Sequence, residues 1–185
     1  MNRRAALAVL AALLGAGTLP AQNAPVVVYL VRHAEKADDS RDPPLSEAGR
    51  ARAEGLVHVL SSVGITKVWS TSYQRTLSTA APLAASLHLD VTPYDPSKLA
   101  EFAALLRATP GRHLVVGHSN TTPELVRALG GDPGGAIPDW EYDRLYVVVI
   151  GPGGTTAMQL RYGAASVANR PTCSSMTRNG LSSSP

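Results

Sequence analysis

The feature that most constrains the fold is a valine-rich run from Val26 to Val31. It contains no charged residue, glycine or proline, and most of its side chains are β-branched. A run of this kind, without polar alternation, is typical of a strand that is buried on both faces. Such strands occur in parallel sheets covered by helices, so the run predicts a central strand of an α/β domain.

The rest of the chain alternates between segments typical of strands and of helices. Ser46 is placed to cap a helix whose apolar positions recur at three- and four-residue spacing from Ala48 to Val63. Further strands are predicted at 67–70, 90–92 and 113–116, helices at 73–87, 95–107 and 122–130, and a hairpin over 145–160. This alternation predicts a three-layer α/β/α sandwich with a mostly parallel central sheet.

The first 21 residues have the layout of a bacterial signal peptide. Arg3 and Arg4 precede an apolar run that ends at Gly17, and Ala21 supplies a small residue at the cleavage position. The alternative is a membrane anchor, but an apolar run of about 13 residues is shorter than the roughly 20 needed to span a bilayer. We therefore expect a periplasmic or secreted protein, with membrane contact only through an uncleaved leader.

One catalytic domain is expected between residues 25 and 163. A chain of 185 residues is long enough for one domain with a substantial core and too short for two ordinary ones. Beyond Gly163 the periodicity is lost, so residues 164–185 are expected to form a disordered tail. The single cysteine, Cys173, lies in this tail and cannot form an intramolecular disulfide.

Three polar segments each begin where a predicted strand ends. Arg32 and His33 follow the first strand. Arg75 lies in the first turn of the helix after the second strand, and His118 follows the strand at 113–116. Because parallel strands joined by right-handed connections end at one edge of the sheet, we expect these side chains to form one site.

The residue types in this site suit a phosphate group. The guanidinium groups of Arg32 and Arg75 can donate paired hydrogen bonds to its oxygens. One neutral histidine can attack phosphorus while a second, protonated histidine donates to the equatorial oxygens. Positive neighbours should lower the pKa of the nucleophile and keep it neutral. The site therefore predicts covalent phosphoryl chemistry that requires no metal or other cofactor.

The order of these segments resembles the histidine phosphatase superfamily. The matching elements are Arg32-His33-Ala34-Glu35, Ser70-Thr71 with Arg75-Thr76 and Thr79-Ala80, and Gly117-His118-Ser119-Asn120. The resemblance spans about residues 25–163 and implies a phosphoglycerate mutase-like fold without a large lid insertion. It also implies phosphorylation of His33 and binding of the phosphoryl group by Arg32, Arg75 and His118.

Two further positions of the third element bear on the site. Asn120 is an additional candidate phosphate ligand. Ser119 stands where the acid-phosphatase branch of the family carries an aspartate, which argues against that branch.

The general acid that protonates the leaving group is the open role. Glu124, six residues after His118, is a candidate, and the alternative is a first-turn helix acid stabilised by the macrodipole. Glu101 corresponds loosely to the region where mutase-like relatives carry their acid, but a solvated helix face is the favoured interpretation. Glu35 is expected to orient its loop or to pair with Lys36. A substrate with a good leaving group would need no acid.

The function expected from these residues is hydrolysis of phosphomonoesters or phosphoramidates through a phosphohistidine on His33. The alternatives are a catalytically silent phosphate-ester-binding or envelope interaction module on the same fold, or a phosphomutase. The expected partner is a phosphorylated small molecule or a phosphoprotein. Nucleic acid is not expected: Arg3 and Arg4 lie in the leader, which leaves 15 basic against 14 acidic residues.

Overall fold

The computed structural model describes residues 25–168. The predicted leader and the residues after 168, including Cys173, lie outside this range. Within it, no helix is both long enough and apolar enough to cross a membrane. The strands are β1 (Val26–Arg32), β2 (Lys67–Ser70), β3 (Val91–Pro93), β4 (Gly111–Gly117), β5 (Arg144–Gly151) and β6 (Gly154–Arg161). The helices are α1 (Glu47–Leu60), α2 (Gln74–Ser86), α3 (Leu99–Ala108) and α4 (Thr121–Ala128).

The strands form one sheet in the order β3-β2-β4-β1-β5-β6. β1 is parallel to β4 and antiparallel to β5, whereas β2 is parallel to both of its neighbours. β5 and β6 form the predicted antiparallel hairpin. Val28 and Leu30 of β1 are almost completely buried. The prediction of a mostly parallel sheet around a buried first strand is confirmed.

Helices cover both faces of this sheet. α3 and α4 pack against one face through a cluster that includes Leu106 and Leu125. α1 and α2 pack against the other face through a second cluster that includes Leu56 and Leu83. The predicted α/β/α sandwich is therefore confirmed, and the helices leave the strand ends free to carry polar residues.

α1 begins as predicted but turns a different face to the core. The Ser46 hydroxyl accepts a hydrogen bond from Gly49 N at 3.0 Å, which confirms the cap. The predicted apolar face was partly wrong, because Ala48 is exposed whereas Arg52 is buried. Burial of a guanidinium is tolerated here because Glu35 compensates its charge.

The described chain continues past residue 163, the predicted end of the domain. The Ser166 hydroxyl accepts a hydrogen bond from Tyr142 N at 2.8 Å, and Ser166 N donates to the Asp143 carboxylate at 3.1 Å. These bonds join residues after β6 to the loop that precedes β5.

Candidate active site

A cavity of about 530 Å³ opens at the edge where the parallel strands end. Its lining includes Arg32, His33, Arg75 and His118, the four residues that the sequence predicted to converge. Arg32 is the last residue of β1, Arg75 is the second residue of α2, and His118 directly follows β4. Three separate segments therefore meet in one site because their strands end at the same edge.

His33 is oriented by two hydrogen bonds. Its backbone N–H donates to Gly117 O at 2.9 Å, and its Nδ1 lies 2.8 Å from Ala34 O. A carbonyl oxygen can only accept, so Nδ1 carries the ring proton and Nε2 holds the lone pair. Burial, reinforced by Arg32, lowers the pKa of His33 to about 3. The resting form near pH 7 is therefore a neutral imidazole with a nucleophilic Nε2.

Arg32 is held by the loop that precedes β5. Its Nη1 lies 3.0 Å from each of the carbonyl oxygens of Pro138, Asp139 and Glu141, so its two protons are donated to three acceptors, one proton being shared. The guanidinium carbon also lies 4.2 Å from the centre of the Tyr142 ring, within cation–π range. The orientation of Arg32 is thus set by the protein before any ligand binds.

Arg75 makes weaker contacts with the protein. Its Nη1 lies 3.4 Å from Arg41 O and 3.5 Å from the Asp42 carboxylate, at the limit of hydrogen bonding. Its guanidinium carbon lies 4.3 Å from the centre of the Tyr73 ring. Its buried Nε has no hydrogen-bond partner among the described atoms. Arg75 is therefore positioned at the cavity with most of its hydrogen-bonding capacity unused.

His118 is linked to a pair of threonine hydroxyls. The Thr76 hydroxyl lies 3.0 Å from Thr71 O and 2.8 Å from Tyr73 O, so its proton goes to one of these carbonyls. The Thr71 hydroxyl then donates to Thr76 Oγ1 at 2.8 Å and accepts from His118 Nε2 at 3.0 Å. This assignment, made from the hydrogen-bond network, places a proton on Nε2 of His118.

His118 is neutral in the free site, whereas the predicted protonated His118 belongs to the site with a phosphate group bound. Burial, together with the charges of Arg75 and Arg32, lowers its pKa to about 4. The arginines that suit a phosphate also disfavour a further cation beside them. A bound phosphate dianion would raise this pKa, so the doubly protonated donor is expected only when ligand is present.

Thr79 joins the loop after His33 to the helix that carries Arg75. Its buried hydroxyl donates to Arg75 O at 2.7 Å and accepts from Ala34 N at 2.9 Å. One side chain thus sets the spacing between the nucleophile and a phosphate-binding arginine. The motif contained this threonine, but the sequence did not identify its partners.

The structure brings Asn120 to the cavity but not Glu124. Asn120 lines the cavity at the start of α4. Glu124 is exposed on α4 outside the lining, and Glu101 is exposed on α3 with its carboxylate 3.7 Å from Lys98. Among the described residues, no aspartate or glutamate lines the cavity. The acid role considered for Glu124 therefore gains no support from the geometry.

Glu35 pairs with Arg52 instead of Lys36. Arg52 Nη2 donates to the Glu35 carboxylate at 2.7 Å, and Arg52 Nε lies 3.0 Å from both of its oxygens. Lys36 contacts Asp39 at 2.8 Å. The Glu35–Arg52 pair anchors the loop after His33 to α1, which is the orienting role predicted for Glu35. Arg52 itself was missed, because it interrupts the apolar spacing of α1.

A charged network that the sequence did not indicate supports the loop around Arg32. Arg144 Nε donates to the Glu141 carboxylate at 2.7 Å, and Arg161 donates to both Glu141 and Asp143. From the sequence alone, residues 139–143 indicate only a loop before a strand. The available signal was a local concentration of acidic and aromatic residues, which does not reveal the partners.

The described residues show no convergent set of metal ligands. Within residues 25–168, no three His, Cys, Asp or Glu side chains come together. Both ring nitrogens of His113 are used structurally, one by Trp69 Nε1 at 3.2 Å and the other by Thr109 O at 2.9 Å. His113 therefore has the structural role expected of a buried histidine away from the cavity.

A family comparison supports the resemblance carried by the motifs. The model of the histidine phosphatase superfamily (branch 1) matches residues 28–104, which include Arg32, His33 and Arg75. This match and the motifs together identify the histidine phosphatase superfamily as the family that the chain resembles. His118 follows the matched segment, and the structure places it in the same cavity. No curated protein sequence matches the chain.

Solved structures with the histidine phosphatase fold resemble this chain over most of their length. The protein histidine phosphatase SixA complexed with tungstate has a TM-score of 0.56 at 19% identity, covering 74% of this chain and 95% of that one. A putative alpha-ribazole-5'-P phosphatase from Escherichia coli K-12 has a TM-score of 0.62 at 16% identity, covering 77% and 100%. A phosphoglycerate mutase from Bacillus anthracis has a TM-score of 0.57 at 16% identity, covering 75% and 93%. At these identities the likeness establishes the phosphoglycerate mutase-like fold.

Proposed function

We propose that this histidine phosphatase hydrolyses phosphomonoesters or phosphoramidates through a phosphohistidine on His33. The observation that carries the proposal is the tautomer of His33. Nδ1 donates to Ala34 O at 2.8 Å, which leaves an unprotonated Nε2 in a cavity lined by Arg32 and Arg75. A pKa of about 3 keeps this lone pair available across the physiological range.

In the first step, the lone pair of His33 Nε2 attacks phosphorus opposite the leaving atom. The new N–P bond forms as the bond to the leaving oxygen or nitrogen breaks, and the leaving atom keeps the electron pair. Arg32, Arg75 and His118 donate hydrogen bonds to the equatorial oxygens, where negative charge must be stabilised.

In the second step, water attacks the phosphohistidine. The water oxygen bonds to phosphorus, the N–P bond breaks, and its electron pair returns to Nε2 of His33. The proton of the water passes to solvent, and inorganic phosphate leaves. The same arginines hold the equatorial oxygens in both steps, so the site needs no rearrangement between them.

The lining of the cavity bears on the leaving group. No aspartate or glutamate of residues 25–168 lines the cavity, so no carboxylic acid is placed there to protonate the leaving atom. The proposal therefore favours substrates whose leaving group departs without such an acid. Aryl phosphates meet this condition, as do phosphoramidates, whose nitrogen can take a proton from solvent.

We further propose that hydrolysis requires no metal ion. The positive charge that a metal would supply to the phosphate is offered here by Arg32 and Arg75. Activity should survive EDTA. Loss of activity on chelation, restored by zinc or magnesium, would contradict this part of the proposal.

The test is capture of the intermediate during turnover of p-nitrophenyl phosphate. Rapid quenching in alkali, in which phosphoramidates survive, followed by peptide mass spectrometry should find phosphate on the Val31-Arg32-His33 segment. His33→Ala should abolish both turnover and labelling, whereas His58→Ala, on an exposed position of α1, should change neither. Phosphate on His118, or turnover with no labelled histidine, would overturn the assignment.

The same assay separates the two alternative functions. A catalytically silent module would bind phosphate esters with no turnover of any substrate by the unaltered protein. A phosphomutase would label His33 but return the phosphoryl group to an acceptor hydroxyl instead of releasing inorganic phosphate.

Export to the periplasm or the outside of the cell is also a proposal. Its basis is the leader, in which Arg3 and Arg4 precede an apolar run and Ala21 provides a small residue for cleavage. The substrate would then be a phosphorylated compound or phosphoprotein that reaches the enzyme outside the cytoplasm.

A further inference from the structure

The cavity is much larger than the phosphate group that it is proposed to hold. Its volume of about 530 Å³ compares with the roughly 10 to 15 Å³ that one water molecule requires by the same measure. Arg32, His33, Arg75 and His118 account for the phosphate. The remaining space must take the rest of the substrate, so the other lining residues bear on which leaving groups fit.

One part of this remaining lining comes from the loop between β1 and α1, residues 36–43. Lys36 forms an isolated antiparallel bridge with Leu45, and Ala37 N donates to Pro44 O at 2.9 Å. Farther along, the Asp42 carboxylate accepts from Gln74 N at 2.9 Å, which ties the loop to the start of α2. Because the loop is held at both ends, its cavity-lining side chains are presented from a defined position.

Two of these side chains, Lys36 and Arg41, are cations. Lys36 has one ion-pair partner among the described residues, Asp39, whose side chain is 97% exposed. An exposed pair of this kind stabilises by about 1 kcal/mol or less, so an incoming anion can replace it. Within residues 25–168, the guanidinium of Arg41 has no hydrogen bond or ion pair.

No carboxylate among the cavity-lining residues balances these two cations, because Asp39, the partner of Lys36, lies outside the lining. Arg32 and Arg75 are already positive, and no carboxylate of the described residues lines the site. The two negative charges of a phosphate dianion next to His33 are balanced by the positive charges of Arg32 and Arg75. Lys36 and Arg41 therefore remain as positive charges facing the space for the leaving group.

We infer that Lys36 and Arg41 form a second anion subsite, so that the enzyme prefers substrates whose leaving group carries a carboxylate or a further phosphate. This inference rests on the proposed phosphatase function, because it assigns the leaving group to the cavity beside phospho-His33. The phosphate subsite and the second subsite act on opposite sides of the bond that breaks. Selectivity for a charged leaving group is thus separable from recognition of the transferred phosphoryl group.

The test compares substrates that differ only in the charge of the leaving group. 3-Carboxyphenyl phosphate and its neutral amide, 3-carbamoylphenyl phosphate, have nearly the same shape. A third ester, with a phosphate in place of the carboxylate, shows whether the subsite prefers a carboxylate or a phosphate on the leaving group. We expect kcat/KM to be about tenfold higher for the charged esters, the effect of one charge-assisted hydrogen bond. Raising the salt concentration should reduce this ratio.

Substitutions then locate the selectivity. Arg41→Gln and Lys36→Gln should each lower the charged-to-neutral ratio several-fold, with little change for the neutral amide. Lys67→Gln at the start of β2 and Arg127→Gln on α4 remove the same charge from exposed positions outside the cavity and should leave the ratio unchanged. A ratio near one in the unaltered enzyme, or a ratio that Arg41→Gln and Lys36→Gln do not change, overturns the subsite.

A binding measurement separates failure of the subsite from failure of the proposed function. If none of the three esters is hydrolysed, the proposed function fails, and calorimetric titration with 3-carboxybenzylphosphonate and 3-carbamoylbenzylphosphonate still tests the subsite. Tighter binding of 3-carboxybenzylphosphonate than of 3-carbamoylbenzylphosphonate supports the subsite, provided that Arg41→Gln abolishes this difference and Lys67→Gln preserves it. Equal affinities for the two phosphonates overturn it.

Discussion

The imidazole rings of His33 and His118 lie edge to face, with their centroids 5.6 Å apart. Both rings are largely buried, and Arg32 and Arg75 add positive charge beside them. Burial, reinforced by these cations, lowers the pKa of His33 to about 3 and that of His118 to about 4. The free site therefore contains two neutral imidazoles between two permanent cations.

The first prediction concerns the protonation of these rings. At about pH 5.5 a histidine with the ordinary pKa of about 6.5 is roughly 90% protonated, whereas His33 and His118 should be neutral. Protonation should become appreciable only as the pH falls below about 5, toward the lowered pKa values. Nitrogen NMR of histidine-labelled protein, assigned with His33→Gln and His118→Gln, measures this directly. A titration midpoint near pH 6.5 for either ring would show that burial does not control the protonation of that ring.

A second prediction concerns the hydrogen bond between Thr71 and His118. Thr71→Val removes the hydroxyl 3.0 Å from His118 Nε2 while nearly preserving the volume of a fully buried side chain. We expect kcat to fall about tenfold with a smaller change in KM, as for loss of a hydrogen bond contributing about 1 to 2 kcal/mol. Steady-state kinetics with p-nitrophenyl phosphate provide the measurement.

Thr71→Ser is the control for this prediction, because it keeps the hydroxyl and loses only a methyl group. It should recover most of the activity. The Thr76 hydroxyl retains its carbonyl acceptors in Thr71→Val, so the melting temperature should change little. Equal activities of the Val and Ser variants would show that the hydroxyl does not orient His118.

A third prediction concerns the shape of the Arg75 guanidinium. Arg75→Lys keeps the positive charge but loses the planar fork that can donate two hydrogen bonds to phosphate. We expect a loss of about 2 kcal/mol or more of transition-state stabilisation, about a 30-fold fall in kcat/KM. Arg127→Lys, at an exposed position of α4, is the matched control and should leave kcat/KM unchanged. Unchanged kinetics in Arg75→Lys would place Arg75 outside the phosphate site.

A fourth prediction concerns the acid stability conferred by Glu141. The hydrogen bond from Arg144 holds the pKa of this buried carboxyl below its ordinary value. A carboxyl with a lowered folded-state pKa stabilises the fold above its unfolded pKa of about 4.3, and this contribution is lost as the pH falls through the folded value. We expect Glu141→Gln to reduce the free energy of unfolding by about 3 kcal/mol at pH 7.

Urea unfolding as a function of pH measures this effect. The difference between the unaltered protein and Glu141→Gln should be constant from about pH 6 to 8 and should shrink below about pH 4. Glu54→Gln, on the exposed face of α1, should show no such difference. A difference that persists unchanged at low pH would mean that the charge of Glu141 is not responsible.

A fifth prediction concerns export. Intact-mass analysis of the protein from its native host should show the loss of about two kilodaltons, as expected for removal of a leader that ends near Ala21. The processed form should be found outside the cytoplasm. Full-length protein in the cytoplasm would contradict the proposal.

The sequence alone determined the features that depend on near neighbours in the chain. The valine-rich run specified β1, and Ser46 specified the start of α1, because strand burial and helix capping leave local patterns. It also placed Arg32, His33 and His118 at one edge of the sheet. That inference succeeded because residues that follow parallel strands share an edge whatever the details of packing.

Only the tertiary structure decided how these side chains are held and charged. The carbonyl group of Glu141 that binds Arg32 lies 109 residues away, and Arg52 reaches Glu35 across 17 residues, so neither partner is visible in a local pattern. The neutral resting state of His118 could not be predicted from the sequence for the same reason. A pKa depends on burial and on the sum of nearby charges, and these exist only after distant segments have packed together.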